Sequence, residues 1–183
     1  MFSITLRDIQ IRDLDDYFYW NQPSREFHRW NGPYFKQETL SELKKRINKI
    51  KKNILDGKEN FFKGKKLIVD TISDELIGEV NWYWKSEETA WMEIGIVIFN
   101  EKYWRMGIGT IALTLWIDEI FHAFPELVRI GLTTWSGNKG MIHLAKKIGL
   151  KKEAAYRKAR IVDGIYYDSV SYGILREEWS IKS

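Results

Sequence analysis

Apolar and polar positions alternate from Ser3 onward, and the alternation predicts a first strand over residues 3–11. Residues 13–20 open on an acidic turn and read as a short helix. Residues 21–35 hold Pro23, Gly32 and Pro33 among Phe27, His28, Trp30 and Tyr34, which marks an aromatic loop. Residues 37–55 place Leu40, Leu43, Ile47, Ile50 and Ile54 at helical spacing with Lys and Arg between them, an amphipathic helix stopped near Gly57. Three β-rich runs follow at 61–72, 76–84 and 90–99, joined by short polar turns, so an antiparallel meander is expected. A loop over 100–106 leads into Gly107-Ile108-Gly109 and a helix over 110–124 that is apolar on almost every face until Asp118 and should be buried. A strand at 129–135 precedes a helix at 138–148 that Gly149 ends. Runs 151–162 and 164–175 form a hairpin turning at Asp163-Gly164. The order β-α-α-β-β-β-α-β-α-β-β, with one crossover helix, predicts an α/β fold on a mixed, mostly antiparallel sheet.

Length and composition narrow the class. The 183 residues suffice for one domain with its own core, so 1–183 is read as a single domain. Nine Trp and an aromatic share of 15% suit large packed sheets or an apolar pocket. The absence of cysteine removes disulfides, thiolate nucleophiles and Cys-ligated metals. His28, His122 and His143 show no ligand spacing, so no metal is expected. A net charge of +4 is a mild basic excess; it suits an anionic cofactor and does not indicate nucleic acid. Residues 1–8 lack the basic head and apolar run of a signal peptide, and no run approaches a membrane span. A cytoplasmic protein without a membrane partner is expected, with a homodimer possible.

The chemistry concentrates in residues 93–110, EIGIVIFNEKYWRMGIGT. A strand enters a loop, and Gly-x-Gly opens a helix whose unpaired N–H groups favour an anion, with Arg105 adding positive charge. A pyrophosphate suits that arrangement. Gly107, Gly109 and Ala112 formally satisfy the dinucleotide fingerprint, but a loop separates them from the strand and the next strand carries no acid for a ribose. No Lys precedes Thr110, which removes a Walker-type loop. Tight helix–strand packing is the plainer use of the two glycines.

The run YWRMGIGTIALTLWIDEIF resembles the acetyl-CoA pyrophosphate motif of the GNAT N-acetyltransferase superfamily. Some thirty residues on, NKGMIHLAKKIGLKKEAAYRKARIVDGIYYDSVSYGILREEW resembles the second motif and C-terminal hairpin of the same superfamily. Tyr103-Trp104 before the glycines, Asn138 opening a helix, and an Asp-Gly hairpin ending in Glu178-Trp179 are similar to the RimJ/RimL-like branch, which acetylates ribosomal-protein N-termini. The resemblance covers residues 2–179, with specific motifs over 93–179.

The resemblance implies a GNAT fold whose sheet splays around acetyl-CoA. Ile96, Val97 and Ile98 would pair with the pantetheine arm. Arg105, Met106, Gly107, Ile108, Gly109 and Thr110 would wrap the pyrophosphate. Asn138 would contact the cofactor near the thioester or order the site. A backbone N–H near Val97 would hold the oxyanion. Glu93 is the candidate base, on the expectation that Trp91 and Val97 share its face and Trp82 lies beside it; an ordinary sheet-edge or ion-paired carboxylate is the equal alternative. Glu79 is a weaker second base. The family's proton donors fall on Met141 and Ala145, neither of which can donate, so water or an unprotonated thiolate has to serve. Trp20, His28, Trp30 and Tyr34 match the family's substrate-side segment, where they cage an amine by cation–π contact or pin the loop to the core, and Trp82 is expected to line the substrate as well. The basic stretch from Lys146 to Arg160 reads as a solvated face or a contact for the cofactor's 3′-phosphate, an acidic substrate or RNA. N-acetylation of a protein N-terminus or a small amine leads; a non-catalytic acetyl-CoA binder and a nucleic-acid-binding domain are the alternatives.

Overall fold

The computed structural model describes residues 3–58 and 61–180; Met1 and Phe2, where the N-terminal reading begins, lie outside the described residues. Its strands are β1 (Ile4–Arg7), β2 (Lys65–Asp70), β3 (Leu76–Ser86), β4 (Trp91–Ile98), β5 (Arg129–Trp135), β6 (Lys151–Val162) and β7 (Ile165–Leu175). They lie in one sheet in the order β1-β2-β3-β4-β5-β7-β6. β4 and β5 run parallel, with Met92 opposite Ile130 and Glu93 opposite Gly131. β1–β2, β2–β3, β5–β7 and β6–β7 are antiparallel. The helices are α1 (Leu14–Trp20), α2 (Leu40–Leu55), α3 (Ile108–Ala123), α4 (Lys139–Lys147) and α5 (Arg176–Ser180). α3 is the crossover that a parallel pair requires, so the mixed, mostly antiparallel α/β sheet read from the element order is the sheet the chain forms. No helix among the described residues is long and apolar enough to cross a membrane.

Contacts group the chain into two compact units, Met1–Asn81 with Ile96–Ile108, and Trp82–Gly95 with Gly109–Ser183. In the first, Leu43, Ile47 and Ile50 of α2 join Leu14 and Tyr17 of α1 and Leu67 and Val69 of β2 in one buried cluster. Leu40, expected on the same helical face, is exposed because it is the first residue of α2. Thr39 caps that helix: its hydroxyl accepts from Glu42 N, and the Glu42 carboxylate accepts from Thr39 N at 2.8 Å.

β1 stops four residues short of the strand expected over 3–11. The Arg7 guanidinium donates twice to the buried Asp13 carboxylate, at 2.7 Å each, and Gln10 N donates to it at 2.7 Å. These bonds turn residues 8–10 away from the strand and lead them into the 3-10 turn Ile11–Asp13, whose N-cap is Gln10. β2 likewise begins at Lys65, because Gly64 turns the chain at φ +77°. Gly78 answers a steric demand: a Cβ there would stand 2.1 Å from the Val97 carbonyl oxygen, so only glycine lets β3 and β4 come this close.

In the second unit, α3 buries Ala112, Leu113, Trp116, Ile117, Ile120 and Phe121, while Ile111 and Leu115 stay exposed. The helix is therefore buried on one side only, although its sequence is apolar almost all round. Arg176 opens α5, which the periodicity did not reveal, and donates to the carbonyls of Phe121, Phe124 and Leu127. The last turn of α3, through Phe121, and the chain just beyond it thereby gain a charged partner. Asp163 and Gly164 both adopt positive φ, at 49° and 77°, as a two-residue hairpin turn between β6 and β7 requires. β6 is an outermost strand, exposed over most of its length, with its register to β7 shifted between Lys152 and Ala154 and between Tyr156 and Arg160.

Two stability tests follow from this geometry. Burial alone would raise the Asp13 pKa, but bonding to Arg7 and Gln10 N holds it below the usual carboxylate value. The ion pair therefore stabilises the fold above a pH of about 4 and loses that contribution as pH falls through the native pKa. Asp13→Asn should cost about 1–2 kcal/mol in urea unfolding at pH 7 and progressively less in acid; an equal cost at both pH values would exclude the pair as the cause. Gly78→Ala should lower stability by about 3 kcal/mol or prevent folding, and an unchanged denaturation midpoint would contradict the close approach of Val97.

Candidate functional site

The turn ahead of α3 is fixed from before and behind. Asn100 Oδ1 accepts from Lys102 N at 3.0 Å, starting the 3-10 turn Glu101–Tyr103. Tyr103 OH and Lys102 Nζ donate to Glu75 at 2.6 and 2.7 Å, and Trp104 Nε1 donates to the Ile98 carbonyl at 2.9 Å. The glutamate is held below its ordinary pKa by those two side-chain donors. On the far side, Ile108 is fully buried and anchors the first turn of α3. Between these anchors Arg105 and Gly107 take positive φ, at 61° and 84°. A Cβ on Gly107 would meet nothing within 4 Å, so the glycine serves conformation and not space. Gly107, Ile108, Gly109 and Thr110 thus pass from a left-handed turn into a helix start whose N–H groups lack intrahelical acceptors, with Arg105 and Met106 exposed beside it. Such a turn is chemically suited to an anion.

Of the residues read as lying along the pantetheine arm, Val97 is buried and Ile96 and Ile98 are half-buried. Asn138 is the N-cap of α4: its Oδ1 accepts from Met141 N at 3.0 Å, so this oxygen orders the helix start. Ala145 is buried in the core, and neither it nor Met141 carries a proton to give.

Glu93 is 2% exposed and accepts three side-chain donors: Tyr83 OH at 2.6 Å, Lys85 Nζ at 3.0 Å and Thr133 Oγ1 at 2.9 Å. Thr133 in turn shares a hydrogen bond with Ser171 at 3.0 Å. The Lys85 ammonium and the Arg129 guanidinium both lie over the Trp91 ring, at 4.9 and 5.5 Å. Trp82, expected beside Glu93, lies elsewhere, and the aromatic side chain that meets the carboxylate is Tyr83. Trp82 packs edge-to-face on Trp84 and Phe124, at 5.8 and 5.3 Å, while odd-numbered Tyr83 and Lys85 face the carboxylate. Successive residues of a strand point to opposite faces, so Trp82 and Tyr83 cannot both face Glu93. Tyr83, Lys85 and Thr133 are the partners that sequence reading missed; correct parity along β3 would have found the first two.

In the first unit Glu79, the second candidate base, is also buried and accepts from Tyr17 OH at 2.6 Å and Lys65 Nζ at 2.9 Å. Tyr17 is wholly buried, and that burial, reinforced by the Glu79 charge, pushes its hydroxyl well above the ordinary pKa. In the aromatic segment, Trp20 packs on Tyr19 at 5.1 Å, with the Arg25 guanidinium 3.5 Å over the Tyr19 ring and 5.6 Å from Trp20. His28 stacks on Phe27 at 4.0 Å and its Nε2 lies 3.1 Å from the Gln22 carbonyl; burial lowers its pKa. Tyr34 lies against Phe35 at 4.7 Å, and Trp30 is 41% exposed. The cation already seated over an aromatic ring here belongs to the chain itself, Arg25. Among the described residues no group of three or more His, Asp or Glu side chains is placed to hold a metal.

Known proteins match this architecture. The family model of the acetyltransferase (GNAT) domain matches residues 3–151. Uncharacterized N-acetyltransferase YnaD from Bacillus subtilis is 30% identical over 72% of this chain and 72% of its own length. Uncharacterized N-acetyltransferase YoaA from the same organism is 29% identical over 56% of each chain, so the match spans little more than half of that relative. A spermidine N-acetyltransferase from Vibrio cholerae, solved in complex with CoA and spermine, shares the fold with a TM-score of 0.74 at 21% identity, over 97% of this chain and 98% of its own. Because the acetyltransferase (GNAT) domain model spans residues 3–151, most of the chain's length, the chain belongs to the GNAT acetyltransferase family.

Proposed function

We propose that this protein transfers an acetyl group from acetyl-CoA to a primary amine, with a small polyamine as the leading acceptor. The observation that carries the reading is the left-handed turn at Arg105 and Gly107 feeding directly into the sixteen-residue helix α3. Its helix-start N–H groups and the Arg105 charge suit a pyrophosphate, and the GNAT domain match supports acetyl-CoA as its owner. The small-amine acceptor rests on likeness to a fold that binds spermine in the Vibrio cholerae enzyme.

In this reading Ile96, Val97 and Ile98 offer backbone groups to the pantetheine arm, and the Val97 N–H receives the oxyanion. The amine nitrogen attacks the thioester carbonyl carbon, and the C–S bond breaks as the tetrahedral intermediate collapses. Glu93 takes the proton that the amine loses. It accepts three donors at rest, so it has to exchange one of them for the amine or for a water that relays the proton. Tyr83, itself 49% exposed, is the donor most easily displaced. Asn138 orders the start of α4 and so acts on the site through the backbone. The thiolate leaves and takes its proton from water, since Met141 and Ala145 offer none.

A protein N-terminal amine is the second acceptor, favoured by the Tyr103-Trp104 pair and the Asp163-Gly164 hairpin of RimJ/RimL-like chains. The two readings separate in an acetylation assay with spermidine and with a peptide bearing a free N-terminus.

Calorimetric titration with acetyl-CoA, against NADH and ATP, should show selective binding of acetyl-CoA. Gly107→Glu should abolish it, because a carboxylate would face the pyrophosphate and strain the backbone at φ +84°; undiminished affinity would remove the loop from the site. Glu93→Gln should lower kcat by about 10²-fold or more while the acetyl-CoA Kd holds within about twofold. Full activity would remove Glu93 as base, and binding without turnover of either acceptor would leave a non-catalytic acetyl-CoA binder.

A further inference from the structure

Residues 21–38 contain only one short 3-10 turn, Glu26–Arg29, yet carry most of the aromatic side chains assigned to the acceptor. Connections this long without regular structure are uncommon in compact folds and are usually functional. Their position therefore has to be set by something other than a helix or strand ladder. In the middle, Phe27 does this by packing into the core at 5.3 Å from Phe99.

The two ends converge on one side chain. Arg46, on α2, donates from Nη2 to Asn21 Oδ1 at 3.2 Å, where the segment begins. It donates from Nε and Nη2 to the Glu38 carboxylate at 3.0 and 2.9 Å, where the segment ends. Its remaining nitrogen, Nη1, lies 3.3 Å from Tyr17 OH, which donates to the buried Glu79; Asn21 Nδ2 also donates to the Tyr17 carbonyl at 2.9 Å. One planar fork thus ties both ends of the segment to α1, α2 and β3. A lysine, which presents a single ammonium, cannot reproduce such a fork.

We propose that Arg46 is a positioning residue that clamps the segment 21–38 at both ends and so sets the affinity for the amine acceptor. The proposal rests on the reading of this segment as the acceptor side, and its test separates the two. Trp20, just ahead of the clamp, and His28, Trp30 and Tyr34 within it meet an acceptor in one arrangement only while the ends are held. Releasing the clamp leaves the chemistry intact and disperses the groups that bind the amine, which raises KM without lowering kcat.

The experiment compares the full chain with Arg46→Gln, Arg46→Lys and Glu38→Gln, with Lys44→Gln on exposed α2 surface as control. Hydrogen exchange by mass spectrometry reads the segment directly, and kinetics with spermidine and with an N-terminal peptide amine read the acceptor. In Arg46→Gln, amides of residues 22–37 should exchange at least tenfold faster, while those of α2, β2 and β3 keep their rates. KM for the acceptor should rise about tenfold with kcat within threefold and acetyl-CoA affinity unchanged. Arg46→Lys should restore less than half of the loss. Glu38→Gln, at a partly exposed position where folding is not at risk, should shift both readouts in the same direction. Exchange unchanged in residues 22–37, exchange accelerated throughout the chain, or an acceptor KM that stays put each overturns the proposal. Loss of acetyl-CoA binding or of turnover in the parent chain would instead refute the acetyltransferase reading, and the exchange ratio would then still decide whether the clamp exists.

Discussion

A carboxylate placed inside a sheet costs several kcal/mol unless donors meet its oxygens, and this chain places two such groups on adjacent strands. Glu79 and Glu93 are both almost fully buried, and each sits in a different compact unit. The need to satisfy them sets much of what surrounds them. Glu79 draws in Tyr17 from α1 and Lys65 from β2, and through Tyr17 it reaches Arg46 and the long aromatic segment. Glu93 draws in Tyr83 and Lys85 from β3 and Thr133 from β5. Tyr17 illustrates how one-sided such a bond is: burial and the neighbouring charge push its hydroxyl pKa well above the ordinary value and so favour the protonated, donating form.

The two units organise their helices by the same economy of polar groups. Arg176 closes the carbonyl end of α3, Asn138 closes the N–H end of α4, and Thr39 and Glu42 close that of α2. The start of α3 stands apart. It is preceded by a backbone turn held from both sides, with a basic side chain exposed next to it. A helix start prepared in this manner, in a chain of the GNAT family, is the feature from which the acetyl-CoA reading grows.

The element order and sheet class were legible in the sequence because they depend on periodicity and on turn chemistry that act locally. Asn138 as a cap, Gly149 as a stop and Asp163-Gly164 as a turn all act within four residues of themselves, and each occupies the role its residue type implies. The ends of β1 and β2 were not legible, because a side chain elsewhere in the chain ends the first and a positive-φ glycine the second. Arg7 has to find Asp13 before the strand can stop. The surroundings of Glu93 were lost for a different reason. Strand parity carried across a turn of uncertain length fails by a whole face when it fails by one residue, which exchanged Trp82 for Tyr83 and Lys85. Arg46 was invisible for the most general reason: a guanidinium on an amphipathic helix looks like solvent-facing charge until its partners are known, and here they lie eight, twenty-five and twenty-nine residues away.

The outermost strand, β6, bears on how molecules of this protein tolerate one another. An uncovered strand of twelve residues is a template on which another chain can add, and this one also shows Tyr156 and Ile161 to solvent. What stands against such growth is charge and irregularity: Lys151, Lys152, Arg157 and Lys158 are exposed along it, and its register to β7 breaks in two places. Repulsion between like edges reaches about 10 Å at 0.1 M salt and about 3 Å at 1 M. The charge on β6 therefore opposes edge-to-edge addition most strongly in dilute buffer, and concentrated salt weakens that guard while leaving the edge itself in place.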